Sequence, residues 1–122
     1  MNDAPQPRLL FDLYADAGAS SHGVVWRLDE PGRQLDANTL SLAPGQRIDT
    51  HTESDLDVLL VVVGGSGTLT TEAEPLALAP GTLAWLPHGS TRGLAAGADG
   101  LTYLTVHRRR PGMGIGPPPG RH

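Results

Sequence analysis

Residues 35–42 read with a period of two: Asp36, Asn38, Leu40 and Leu42 fall on one side, Leu35, Ala37, Thr39 and Ser41 on the other. Successive side chains of an extended strand point to opposite faces, so this spacing predicts a strand. It ends at Pro44-Gly45. Residues 23–28 have strand composition, and Pro31-Gly32 in the segment after them supplies the preset φ and the positive φ of a turn. Strands are further expected at 48–53, 68–71, 76–79, 82–87 and 91–96, with 101–110 the longest. The run 57–63 is so apolar that both of its faces should be covered. Gly64-Gly65-Ser66-Gly67 offers positive φ repeatedly and is expected to reverse the chain as a hairpin, and 97–100 to turn it again. The segment 9–14 is too short for periodicity to separate a strand from a helical turn. Eight or nine short, turn-punctuated strands without an amphipathic helix predict an all-β sandwich or barrel spanning 9–110.

The flanks differ in kind. Residues 1–8 hold two prolines and little apolar surface, and 111–122 hold four prolines and four glycines, so both are expected to be flexible tails. The C-terminal one can also lie extended across a neighbouring subunit. A chain of 122 residues supports one core and therefore one domain. It has no cysteine, which removes disulfides, thiolate metal sites and a cysteine nucleophile. Thirteen acidic residues against nine basic ones, with no basic stripe except Arg108-Arg109-Arg110, argue against a nucleic-acid partner. No segment is apolar for long enough to span a bilayer and no secretory signal opens the chain, so a soluble cytoplasmic protein is expected. All nine basic residues are Arg, which reads as a coding bias and weakens any argument from the choice of Arg over Lys.

Candidate chemistry concentrates in residues 45–64. His51 and Glu53 are two apart and share a strand face, and Asp57 opens the next apolar run beyond a short polar turn, so three side chains able to bind a metal or a proton can converge. The glycine and proline spacing here resembles that of the cupins. Their first motif is written G-x5-H-x-H-x3,4-E-x6-G, and Gly45, His51 and Gly64 fall on it, with Glu53 at its second His and Asp57 at its Glu. Gly81, Pro87 and Gly89 fall on the second motif, G-x5-P-x-G-x2-H-x3-N, with Arg92 at its His and Ala96 at its Asn. The resemblance covers about 50 residues and implies a jelly-roll barrel, a pocket inside it and a homodimer.

Two functions follow. In one, a divalent transition metal held by His51, Glu53 and Asp57 serves a dioxygenase- or isomerase-type enzyme. In the other, no metal is bound, and His51, Asp57, Arg92 and His107 line a pocket for a small, anionic organic ligand. A guanidinium has no lone pair to give a cation, so Arg92 cannot replace a histidine ligand. It can instead supply positive charge to Glu53 and Asp57 and a forked donor to a ligand carboxylate. A metal-free enzyme with His51 as general base, oriented by Asp57, is a third arrangement of the same residues. His107 shares a face with Tyr103 and Thr105, either towards the cavity or away from it. His88, inside the Pro87–Gly89 turn, is expected at the surface, and Trp26 and Trp85 in the core or a subunit contact. His22 and His122 belong to no constellation. The glycine run at 64–67 is followed by no helix, so it is a turn rather than a phosphate loop.

Overall fold

Two long strands carry the architecture. In the computed structural model, which describes residues 4–16 and 22–110, a short helix α1 (Leu13–Asp16) precedes strands β1 (Gly23–Arg27), β2 (Leu35–Leu42), β3 (Arg47–Thr52), β4 (Val58–Thr70), β5 (Leu76–Leu78), β6 (Leu83–Leu86) and β7 (Thr91–Arg108). Of the segment at 9–14, residues 9–12 are irregular and Leu13 and Tyr14 open the helical turn, which Asp12 Oδ1 caps by accepting the amides of Tyr14 and Ala15 at 2.9 Å. All strand pairs are antiparallel. Residues 4–8 are exposed and lie outside the regular elements, while the tail expected at 111–122 lies outside the described residues.

β4 and β7 pair from Leu59↔Val106 to Thr70↔Gly93, and each meets different partners along its length. The outer half of the ladder carries β6 on β4 (Val58↔Leu86 to Val61↔Leu83) and β2 on β7 (Leu42↔Leu101 to Leu35↔Arg108). The other half carries β5 on β4 and β3 on β7. The sheet is thereby divided into two wings joined only through the β4–β7 ladder. Leu60, Val62, Leu86, Leu101 and Tyr103 of one wing pack in a single core cluster with Leu69, Leu78, Leu94 and Ala96 of the other. Full burial of such an aliphatic side chain contributes about 1.5–3 kcal/mol, so closing the wings on each other is the main gain in folding. This is an all-β jelly roll.

Two turns expected from the sequence are not reversals. The chain continues through Gly64–Gly67 as part of β4, and through 97–100 as part of β7, so among the described residues seven strands replace the eight or nine expected. The glycines have a different task. The ladder shifts register between Val62 and Gly64 and between Gly65 and Gly67. A Cβ on Gly65, whose φ is 77°, would run into the Gly100 carbonyl oxygen. One on Gly67 would lie 2.6 Å from the Ala95 oxygen, and one on Gly97 would strike Ser66 Oγ. Bare backbone lets the two strands cross closely and bend together where the wings divide.

Gly65→Ala should therefore cost about 3 kcal/mol or more in chemical denaturation, combining a left-handed φ with a backbone collision. Gly45→Ala, at the same φ but with open space around it, should cost about 1–2 kcal/mol. Equal losses at the two positions would show that the close crossing does not control the bend.

Candidate functional site

Between the wings lies a cavity of about 540 Å³. Strand register sets the depth of each side chain, since inward-facing residues on one strand are two positions, about 7 Å, apart. One step from the bend stand Tyr103, its neighbour Leu40 and, on the facing wing, Leu94 beside Ile48. Two steps out stand Thr105, paired with Asn38 and Leu60, and on the facing wing Arg92, paired with His51. His107 is one step further, at the mouth, with Glu53 and Arg110. The floor is apolar and the upper wall polar.

Arg92 is 6% exposed. Its Nη1 donates to the Pro87 carbonyl (3.3 Å), the Ser90 carbonyl (3.1 Å) and Ser90 Oγ (2.8 Å). Its Nε and Nη2 have no acceptor among the described residues, nor are they sealed from solvent; the residue lines this cavity and also a smaller hollow bounded by Thr71, Trp85 and Ser90. Burial lowers its pKa, with the charge of Glu53 opposing the shift. The guanidinium nonetheless remains protonated at any ordinary pH.

The carboxylates are engaged elsewhere. Partial burial pushes the Glu53 carboxyl up, but the Asp55 amide at 2.8 Å and Arg110 Nη2 at 2.8 Å outweigh it and hold Glu53 below its ordinary pKa. Arg110 also reaches Asp55 at 3.5 Å. Asp57 is exposed and does not line the cavity. Its Oδ1 accepts the His88 amide at 2.9 Å and contacts His88 Nδ1 at 2.7 Å, and these bonds hold its pKa down. With Gly89 N donating to the Glu53 carbonyl at 2.7 Å, they pin the β6–β7 turn to the β3–β4 loop.

Three expectations are corrected by this geometry. His51, Glu53 and Asp57 do not assemble as a ligand set: among the described residues, no three His, Asp or Glu side chains are grouped to hold a metal ion. These side chains, as placed, do not make the cation site that the resemblance implies. Nor does Arg92 form an ion pair with Glu53 or Asp57: Arg110 pairs with Glu53, and Asp57 is bonded by the His88 amide and ring. Asp57 likewise cannot orient His51, whose Nδ1 lies 3.2 Å from the Asp49 carbonyl. His51, Arg92 and His107 do line the cavity together, and His88 is at the surface as expected. His107 Nδ1 lies 2.8 Å from the Arg108 carbonyl, which fixes its proton there and leaves Nε2 as the lone-pair site of the neutral ring. The sequence reading missed Arg110 and Tyr103. Tyr103 was within reach of the strand alternation that carried His107, but Arg110 lies beyond the end of β7, where no periodicity points.

The architecture defines a small jelly-roll barrel with a polar-walled internal cavity. Comparison with solved structures makes the fold specific: this is a cupin fold. A cupin superfamily protein from Desulfitobacterium hafniense superposes with a TM-score of 0.67 at 20% identity, covering 87% of this chain and 94% of that one. KdgF from a Halomonas species gives 0.58 at 26% identity, over 71% and 91%. The Schizosaccharomyces pombe Cnp3 cupin domain gives 0.62 at 12% identity, over 70% of this chain and 59% of that one. No protein-family model matches the chain, and no curated protein matches it by sequence. Among the described residues no helix is long and apolar enough to cross a membrane.

Because the folded-state pKa of Glu53 is depressed, its contribution to stability is complete above the ordinary carboxylate range and is lost as pH falls through the folded value. Arg110→Gln should raise the Glu53 pKa, read by NMR titration of its side chain, and shrink the loss of stability on acidification. An unchanged Glu53 titration would show that Arg110 does not hold it.

Proposed function

We propose that the protein binds a small organic acid in this cavity, the ligand carboxylate docking on the Nε–Nη2 edge of Arg92, without a resident metal ion. The observation that carries this reading is the state of Arg92. The residue is buried, its guanidinium is clamped through Nη1 and keeps two donors without an acceptor among the described residues, and it lines an otherwise largely apolar space. That edge matches the two oxygens of a carboxylate, and a charge-assisted forked pair is among the strongest polar contacts available. Charge points the same way: Arg92 and Arg110 against Glu53 leave the cavity wall one positive charge in excess. His51 Nε2 and His107 Nε2 are further polar contacts beside and above the acid. The reading is of a binding protein in the cytoplasm, with no nucleic-acid or membrane partner.

A second copy of the chain is the partner this reading assigns to the outer face of the β6–β4–β7 wing. There Trp85, Leu59 and Val106 form one cross-strand row and Leu83, Val61 and Leu104 another. Trp85 and Leu83 are 61% and 64% exposed. A two-fold axis would bury the same apolar patch on both copies, in keeping with the homodimer that the cupin resemblance implies.

Hexanoate titrated calorimetrically should bind the wild type, and Arg92→Met should weaken it at least tenfold, the loss of a hydrogen-bonded charge being about 1.5–3 kcal/mol. Arg109→Met, exposed and outside the cavity, should bind like the wild type. Chelator should leave the melting temperature unchanged. A chelator-sensitive melting temperature would favour the metal-dependent enzyme instead, and equal binding by both variants would defeat the role of Arg92. In sedimentation the wild type should be a dimer and Trp85→Asp a monomer; a monomeric wild type would remove the dimer.

A further inference from the structure

Tyr103 is a second polar group built into the cavity, and the ligand reading above does not use it. The residue is 3% exposed, sits in the core cluster and lines the cavity floor. Among the described residues the one side-chain polar atom that is both sealed from solvent and unpartnered is Thr39 Oγ1. The Tyr103 hydroxyl also makes no hydrogen bond to the described protein, yet it is not sealed, and the space it reaches is the cavity. Burying a hydroxyl without a partner is costly, and a phenylalanine would fill the same place among Leu40, Leu60 and Leu94 without that cost. A donor kept in such a position is a contact waiting for an acceptor.

Burial also fixes which contact it makes. Desolvation raises the Tyr103 pKa to about 12, so the phenol stays neutral and cannot serve as a base near neutral pH. It offers one O–H and suits a neutral oxygen rather than a cation. The register gives the backbone spacing: Tyr103 is one inward step from Leu101 at the bend, Arg92 two from Ala96, so Tyr103 is rooted about 7 Å deeper along the cavity. Leu40, Ile48 and Leu94 at the Tyr103 level and Leu60 at the Arg92 level make the wall that links the two largely aliphatic.

We propose that Tyr103 is a specificity-determining residue that selects, among organic acids, those bearing a hydroxyl or carbonyl oxygen several carbons from the carboxylate. The acid head sits on Arg92, an aliphatic spacer crosses the apolar band, and the distal oxygen accepts from Tyr103. This rests on the acid-binding reading, and adds to it the class of acid: a hydroxy or oxo acid of about four to eight carbons, from the step length above.

The test pairs straight-chain acids of four to eight carbons with their terminal hydroxy acids, titrated into the full chain. At the best-fitting length the wild type should prefer the hydroxy acid by about tenfold, the worth of one buried hydrogen bond. Tyr103→Phe should abolish the preference, and its melting temperature without ligand should equal or exceed that of the wild type. Arg92→Met should weaken both members of each pair. Plain and hydroxy acids bound equally by the wild type, or a preference that survives in Tyr103→Phe, would overturn the role of Tyr103 while leaving acid binding intact. A wild type that binds neither set would overturn the acid reading and this inference with it. A fall in the ligand-free melting temperature of Tyr103→Phe would show that the hydroxyl serves the fold and not a ligand.

Discussion

The close crossing of β4 and β7 at their glycines is the constraint on which the molecule depends. Gly65 and Gly67 on one strand face the Ala95–Leu101 stretch of the other at distances no side chain would allow. Because both strands continue through the crossing, a single ladder belongs to both wings. The wings face each other through their inward rows, and the aliphatic cluster fills the end nearest the bend. Further out the rows diverge and leave the cavity. The depth of every polar side chain in it follows from counting strand positions away from the bend.

Arg92 occupies that scaffold at some cost. A guanidinium placed among leucines loses hydration, and the downward shift of its pKa records the loss. Three oxygens on the Pro87–Ser90 turn offset part of it through a single nitrogen. The turn is itself held by Asp57 and by the Glu53 carbonyl. The residues at the ligand positions of the cupin motif thus have new work: Asp57 braces the turn that braces Arg92, and Glu53 is clamped at the mouth by Arg110. Carboxylates that would otherwise compete for Arg92 are kept occupied, which leaves its second edge free. Arg92 is thereby preorganised, and a ligand need not expend binding energy in ordering it.

Much of the fold was legible in the sequence because strand period, turn residues and the spacing of Gly45, Gly64, Gly81, Pro87 and Gly89 all report on backbone. Where that reading failed, at Gly64–Gly67, the cause is physical: positive-φ glycines serve a reversal and a close crossing equally well, and only the partner strand decides. The site was legible in part. His51 and Arg92 were marked by motif spacing and His107 was given a strand face without its direction, whereas Asp57 was misassigned because a spacing shared with a motif does not say where a short carboxylate points. Its partner His88 lies 31 residues away, across a turn whose docking no local pattern encodes. Arg110 was invisible for the same reason.

The central claim is that the free edge of Arg92 receives a carboxylate. Proton–nitrogen NMR of the arginine side chains, followed as hexanoate is added, reads that edge directly. The Arg92 Nε–H resonance should move downfield with saturation while that of Arg109 stays in place, because a new charged acceptor deshields the proton it binds. An Arg92 Nε–H that does not move while hexanoate binds would contradict the account, and would place the acid on another part of the protein.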